Sequence, residues 1–187
     1  MFSIRRAAAL LSVVVVLVTA CDADRVGAAA VVGGDRITVT ELQDEVREVV
    51  AVDPNAGPPT GDQAELQRIV LSRMIAFRLR DQVARDAGIS VSEADVDSFI
   101  AEQLEPQVPE GDLTPLLAQS ALTEESLREA VREVLVAEQL GPAAYEEGLM
   151  TAAQELGVEV NPRYGSWEGV QISAGSGSIS RTVELGG

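Results

Sequence analysis

The stretch from Gln63 to Ala87 constrains the fold more than any other part of the sequence. Asp62 stands at an N-cap position, Glu65 falls in the first turn, and Gly88 is a residue that commonly ends a helix. Apolar residues repeat at helical spacing in two rows rather than one. The first row comprises Leu66, Ile69, Val70, Met74 and Phe77, and the second comprises Leu71, Ile75 and Leu79. Two rows give a wide apolar surface, so we predict a long helix that other elements surround.

A small β element is predicted at both ends of the helical region. Residues 28–32 and 37–39 are apolar or β-branched, and they flank Gly33-Gly34, whose glycines tolerate the positive φ of a tight turn. Residues 158–160 predict a second short strand late in the chain. Because an isolated two-stranded hairpin is only marginally stable, we expect the hairpin to pair with this late strand.

The remaining periodic segments predict a mainly α-helical chain. A first helix should run to about Val52, with Thr40 as its N-cap and Gln43 completing a capping box. Ser92 and Thr123 should cap two further helices, and helices are also predicted over residues 112–120 and 143–156. Side chains predicted to face inward in the later helices are Val96, Phe99, Ile100, Leu104, Leu127, Val131, Val134 and Leu135.

The composition of the chain excludes several classes of function. The formal net charge is −16, and every basic residue is an arginine. Such an acidic surface disfavours nucleic acids and anionic lipid headgroups as partners. Histidine is absent, which removes histidine general bases, catalytic triads and histidine-based zinc sites. We therefore expect no cofactor, no metal ion and no nucleic-acid partner.

The N-terminal segment has the pattern of a secretory signal. Arg5 and Arg6 precede an apolar run over residues 7–20, which is shorter than the roughly 20 residues that span a bilayer. The run leads into Val18-Thr19-Ala20-Cys21, which holds the only cysteine of the chain. An ordinary small apolar residue is the simpler interpretation of Cys21. A lone thiol on an exported chain, however, has no intramolecular disulfide partner and calls for another role.

Val18-Thr19-Ala20-Cys21 resembles the lipobox of bacterial lipoproteins. The resemblance implies that the chain is cut before Cys21 and that the thiol carries a diacylglyceryl group. Two acyl chains attach a protein firmly, so we expect it on the extracytoplasmic face of the cell membrane. The predicted organisation is a signal peptide over 1–20, a tether over 21–27, a helical domain over 28–172 and a disordered, Gly- and Ser-rich tail over 173–187.

Several segments, taken in order, resemble the SurA, PrsA and PpiD group of exported foldases. Residues 31–42, which read VVGGDRITVTEL, are similar to the opening strand, glycine turn and helix start of that family. Residues 87–96 and 122–128 are similar to two later segments of its chaperone core, and residues 157–167 to its closing segment. The resemblance implies a SurA N-terminal-like helical core with a small β element formed by the N- and C-terminal segments.

The chain departs from these foldases at Gly141-Pro142. SurA, PrsA and PpiD carry parvulin-type prolyl isomerase modules with active-site histidines. Here only Gly141-Pro142 separates the last core helix from the C-terminal helix, and the chain holds no histidine. The resemblance therefore implies a non-enzymatic core that binds unfolded or newly exported polypeptides.

The apolar rows supply the candidate client-binding residues. Those of them that stay exposed after packing would form the binding surface; the candidates are Met74, Ile75, Phe77, Leu79 and Phe99. The opposing interpretation places all five in the core, because helical apolar stripes usually face inward. A second hypothesis is a structural lipoprotein that uses the same fold to hold one specific envelope partner.

Two other groups of residues allow both a functional and a structural interpretation. Tyr164 and Trp167 are candidates for a peptide-binding pair, but large aromatic side chains mostly bury, which favours a clamp on the helical core. If the protein were an enzyme, the candidate catalytic residues would be the carboxylates around a proline-rich loop, namely Glu102, Glu105, Glu110 and Asp112. They lack the spacing of a metal-binding loop and indicate a solvated acidic rim.

Lipid attachment at Cys21 is directly testable. We expect Cys21→Ser to abolish incorporation of a labelled lipid precursor and to release the protein from the membrane fraction or leave it uncut, because the acidic body has little affinity for anionic lipid. Metabolic labelling of both proteins is the measurement. Equal labelling of wild type and Cys21→Ser would refute the lipobox interpretation.

Overall fold

The computed structural model describes residues 27–53 and 62–174. The predicted signal peptide, Cys21 and the chain after Ala174 lie outside these residues. The described residues are mainly helical with small antiparallel sheets, which confirms the predicted fold class. Among these residues, the helices lack the combination of length and apolarity that crossing a membrane requires.

The helices and strands follow one another in the order β1, β2, six α-helices with an irregular insertion, and β3 to β5. The helices are α1 (Val39–Val52), α2 (Gln63–Ala87), α3 (Glu93–Phe99), α4 (Thr114–Ser120), α5 (Glu124–Leu140) and α6 (Pro142–Leu156). The strands are β1 (Ala28–Val32), β2 (Asp35–Thr38), β3 (Val158–Val160), β4 (Ser166–Glu168) and β5 (Gln171–Ser173). Between α3 and α4 lie a π-helical segment, Ile100–Leu104, and the 3-10 turns Glu105–Gln107 and Pro109–Gly111.

The first sheet has the order β2-β1-β3, which confirms the predicted pairing of the N-terminal hairpin with the late strand. Ala30 on β1 lies opposite both Ile37 and Val160, and both pairings are antiparallel. Gly33 and Gly34 form the turn with φ of 60° and 90°. A Cβ on Gly33 would come within 2.8 Å of Leu156, so this turn packs closely against the end of α6.

Helix α1 begins two residues earlier than predicted. Thr38, not Thr40, is the N-cap, and Glu41, not Gln43, completes the capping box. The Glu41 N–H donates to Thr38 Oγ1 at 3.1 Å, and the Thr38 N–H donates to Glu41 Oε2 at 2.6 Å. Both threonines have a suitable acceptor three residues on, but β2 ends at Thr38, whose extended backbone fits an N-cap. The hydrogen bonds from Thr38 hold the pKa of Glu41 below its usual range.

Helix α2 has the predicted bounds and the predicted central position. Asp62 accepts from the Ala64 N–H at 2.8 Å, and Gly88 closes the helix in the left-handed conformation. Buried side chains occur on more than one face and comprise Leu66, Val70, Leu71, Ile75, Phe77, Leu79, Arg80 and Val83. The helix contacts α1, α5, α6, β1 and β5, so it forms the axis of the main hydrophobic cluster.

Two residues expected to face inward lie on the surface instead. Ile69 on α2 is 39% exposed and Val134 on α5 is 41% exposed. Helix α5 turns Leu127, Val131 and Val136 to the interior, since it packs between α2, α3 and α6, and Val134 falls on the outer side of that stripe.

A second sheet, the β4–β5 hairpin, follows β3 at a place where the sequence analysis predicts no strand. Its strands have three residues each, which is too short for a period-two pattern to be visible. The Ile172 N–H donates to Ser72 Oγ on α2 at 3.0 Å, and the Ile172 side chain is buried in the main cluster. Strand β5 includes Ser173, the first residue of the predicted disordered tail; the tail from residue 175 onward lies outside the described residues.

Gly165, just before β4, provides a test of this hairpin. Its φ is 129°, and a Cβ there would come within 2.1 Å of the Ser173 carbonyl oxygen. We expect Gly165→Ala to displace the hairpin, lower the melting temperature and shift the emission of Trp167, the only tryptophan, to longer wavelength.

Gly169→Ala in the β4–β5 turn is the matched control. Gly169 also has positive φ, but a Cβ there meets nothing within 4 Å, so the expected cost is only the ~1–2 kcal/mol of a left-handed residue. Equal effects of the two substitutions on melting and on emission would contradict the close packing at Gly165.

Candidate functional site

A cleft of about 380 Å³ opens between the π-helical segment, α4 and the start of α5. We call it the α4 cleft. Its apolar lining comes from Ile100, Leu113, Leu117 and Leu127, and its remaining lining from Gly111, Asp112, Thr114, Glu124 and Arg128. A volume of this size falls within the ~300–1,000 Å³ that is typical of ligand-binding clefts.

The hydrophobic cluster beneath the α4 cleft is only partly closed. Its buried members are Val96, Leu117, Leu127 and Val131. A larger number of apolar side chains packs against them while remaining partly exposed: Val52, Val91, Phe99, Ile100, Leu104, Leu113, Leu122 and Leu135. In the main cluster the buried members outnumber the partly buried ones. The second cluster is therefore less completely covered than the main cluster.

An irregular helix end forms one wall of the cleft. Helix α3 continues into the π-helical segment, in which the Glu105 N–H donates to the Ile100 carbonyl five residues before it. Single π-helical turns within or after α-helices are frequent at functional sites, because the extra residue changes the direction in which side chains point. Phe99 and Ile100 stand at this change of helix type and stay partly exposed.

Backbone strain marks the other end of the same wall. Glu110 has φ of 57° and ψ of 15°, a left-handed conformation that costs a residue with a side chain about 1–3 kcal/mol. Asp112 then accepts from the Thr114 N–H at 3.0 Å, and α4 starts at Thr114, two residues later than predicted. These hydrogen bonds from Thr114 hold the pKa of Asp112 below its usual range.

A chain of ion pairs fixes α5 against α2 and α3. Arg80 on α2 donates to the Glu129 carbonyl at 2.7 Å and to Glu129 Oε2 at 2.6 Å. Arg132 joins Glu129 to Glu93 on α3, and Arg128 pairs with Glu93 at 2.8 Å. Burial opposes the charge of Arg80, but Glu129 and Asp81 outweigh it and raise the Arg80 pKa above its ordinary value.

The predicted client-binding residues separate into two groups. Ile75 and Leu79 are 0% and 1% exposed, and Phe77 is buried beneath the Arg80 guanidinium, which lies 5.3 Å from the ring centre. These three belong to the core and expose little or no surface in this conformation. Met74 and Phe99 remain partly buried, and only Phe99 lies in the cluster beneath the α4 cleft.

Tyr164 and Trp167 pack onto the helical core. Tyr164 is a buried member of the main cluster, and Trp167 packs against that cluster while partly buried. Arg163 stacks on the Tyr164 ring with its guanidinium carbon 5.0 Å from the ring centre. The clamp interpretation of these two aromatic residues is confirmed.

The acidic residues of the proline-rich loop are exposed. Glu102, Glu105, Glu110 and Asp112 all lie at the surface, as a solvated rim should. Among the described residues, no group of three or more histidine, cysteine, aspartate or glutamate side chains is placed to hold a metal ion.

A larger groove of about 470 Å³ lies beside β1 and β3 and is lined mainly by small or aliphatic residues, including Ala28, Ala30 and Val160. The chain enters β1 at this point from residues that lie outside the described range. This groove therefore carries no functional assignment, and the α4 cleft is the candidate binding site.

Sequence patterns identified only part of the α4 cleft. Ile100 and Leu127 were expected to face inward, whereas Leu113 and Leu117 were not singled out. The sequence signal for them is the pair Pro106 and Pro109. Two prolines after an apolar helix indicate an irregular segment, which leaves apolar side chains of the next helix only partly covered.

Comparisons with known proteins point to one family. A family model described as a SurA-like N-terminal domain matches residues 3–141. The chaperone SurA of Bordetella pertussis is 29% identical over 133 residues, which cover 70% of this chain and 25% of the relative. The chaperone SurA of Ralstonia nicotianae is 34% identical over 110 residues, which cover 58% and 22%. The matched region thus spans about a quarter or less of these curated relatives. No solved structure matches the chain.

The buried guanidinium of Arg80 should stabilise the scaffold of the site. We expect Arg80→Met to lower the free energy of unfolding by roughly 2–3 kcal/mol, because the Glu129 carbonyl and carboxylate lose charge-assisted hydrogen bonds. Urea denaturation is the measurement. Arg85→Met, an exposed arginine on the same helix, should change stability by less than about 0.5 kcal/mol. Equal effects would show that the Arg80–Glu129 contact does not hold α5 on α2.

Proposed function

Because the chain belongs to the SurA-like N-terminal domain family, we propose that it is a lipid-anchored, extracytoplasmic chaperone-like protein. It binds unfolded or newly exported polypeptides in the α4 cleft, and it does not catalyse prolyl isomerisation. The observation that carries the proposal is the α4 cleft, whose lining includes four apolar side chains of the partly covered second cluster. The relatives that match the chain are chaperones by name.

The chemistry of the α4 cleft suits an extended apolar segment. Leu113 and Ile100 offer aliphatic surface on two walls, while the backbone of the strained turn at Glu110 and Gly111 lies beside them. Covering such surface stabilises a complex by about 25 cal/mol per Å² of apolar area removed from water. Ordering a flexible client costs about 2–5 kcal/mol of that gain, so binding should be weak and reversible.

The absence of isomerase activity in the proposal rests on two features. The chain contains no histidine, and Gly141 alone separates the end of α5 from the start of α6. That junction is where the resembling foldases carry their catalytic module. The membrane attachment in the proposal rests on Val18-Thr19-Ala20-Cys21, since two acyl chains bind a bilayer without help from an acidic body.

The core side chains of both clusters lie between residues 28 and 172, so a chain that starts at residue 22 keeps all of them. We expect this protein, in excess, to delay the aggregation of several unfolded clients in a light-scattering assay. Leu113→Gln should weaken the protection about tenfold, because roughly half of a leucine's burial energy is lost from the contact. The protein should leave the rate of a proline-limited refolding reaction unchanged.

Met150→Gln on α6 is the matched control. Met150 is 46% exposed and lies outside the second cluster, so its replacement removes similar apolar surface elsewhere and should leave protection intact. No protection of any client would refute general chaperone activity and favour the structural lipoprotein that holds one partner. A refolding rate that rises in proportion to protein concentration would refute the lack of isomerase activity.

A further inference from the structure

Two carboxylates and one arginine line the α4 cleft, and the segment that forms it is acidic. From Ile100 to Arg128 the chain contains six carboxylates and a single arginine. The carboxylates are Glu102, Glu105, Glu110, Asp112, Glu124 and Glu125. Asp112 and Glu124 line the cleft itself, and Glu110 immediately precedes Gly111, which also lines it.

The one arginine of this region does not neutralise the cleft. Arg128 pairs with Glu93 at 2.8 Å and with Asp97 at 2.7 Å, and both partners lie on α3. Glu93 also pairs with Arg132, which pairs with Glu129 as well. Both arginines of α5 therefore form ion pairs with carboxylates outside the cleft lining. The Asp112 carboxylate accepts a hydrogen bond from a neutral backbone N–H and keeps its negative charge. Arg128 also lines the cleft, but Glu93 and Asp97 already pair with it, so the two carboxylates of the lining, Asp112 and Glu124, leave the cleft with a net negative charge.

We propose that the α4 cleft selects segments of unfolded polypeptide in which apolar side chains are flanked by lysine or arginine. This inference rests on the proposed function and names the class of client that the same site prefers. The apolar residues of such a segment cover Ile100, Leu113 and Leu127, and its flanking cations meet Asp112 and Glu124. A client with acidic flanks would place like charges against these carboxylates and would be rejected.

The test uses the chain that starts at residue 22 and three fluorescein-labelled peptides with one apolar core. The flanks are Lys-Lys, Gln-Gln or Glu-Glu, and binding is measured by fluorescence anisotropy at 25 mM and 500 mM salt, conditions that change the screening length from about 20 Å to about 4 Å. We expect the Lys-flanked peptide to bind roughly fivefold more tightly than the Gln-flanked one at low salt, with the Glu-flanked one weakest. The preference should largely disappear at high salt.

Two double variants with the same change in net charge test whether the preference for lysine-flanked peptides arises in the cleft. Asp112→Asn with Glu124→Gln removes the two cleft charges, and the asparagine oxygen still accepts from the Thr114 N–H. Glu146→Gln with Glu147→Gln removes two exposed charges from α6. The cleft variant should bind the Lys- and Gln-flanked peptides about equally, whereas the α6 variant should keep the wild-type preference.

Each outcome separates this inference from the proposed function. Equal binding of the three peptides at low salt would overturn the charge selection and leave the proposed function standing. Loss of the preference to the same extent in both double variants would assign it to net charge and overturn the role of the cleft. If none of the peptides bound at either salt concentration, the proposed function itself would be overturned.

Discussion

The arrangement of helices depends on one partly buried charged contact, between Arg80 on α2 and Glu129 on α5. The other buried side chains of helix α2 are aliphatic or aromatic, and apolar contacts alone fix its distance from α5 but allow sliding along its axis. The Arg80 guanidinium lies over the Phe77 ring and donates to both the carbonyl and the carboxylate of Glu129. Such directional bonds define one register of α5 on α2. Arg132 and Arg128 connect α5 to α3, which continues into the π-helical segment that forms one wall of the α4 cleft.

The difference between the two hydrophobic clusters follows from helix length. The main cluster is enclosed by the two sheets and by four helices, each with three or more turns: α1, α2, α5 and α6. The second cluster is covered by α3 and α4, which have seven residues each, and by π-helical and 3-10 segments. Two turns of helix present only a narrow apolar stripe, and the irregular segments present no continuous face. The side chains around Leu117 and Leu127 therefore remain half covered, and the cleft is the consequence.

Sequence patterns predicted the elements whose signals are local. The bounds of α2 and the caps Ser92 and Thr123 follow from side-chain chemistry within one turn, and they were correct. The N-cap of α1 was misplaced, because Thr38 and Thr40 satisfy the same pattern and only the end of β2 decides between them. The β4–β5 hairpin depends on a contact with Ser72 about one hundred residues earlier, which a local pattern does not contain. The apolar rows of α2 predicted wide burial but not which of its residues would remain accessible.

An exposed apolar cleft invites self-association, and the charge of the chain opposes it. Apolar patches on a soluble surface favour contacts between copies, whereas two copies that each carry a net charge of −16 repel one another. The same charge repels acidic partners and attracts cationic segments, so the proposed charge selection and the repulsion between copies have one physical cause. Anchoring by lipid, as proposed, would add no positive charge near the cleft. In the proposed function, the partly covered second cluster supplies apolar surface for a client, and the negative charge opposes occupation of that surface by a second copy of the chain.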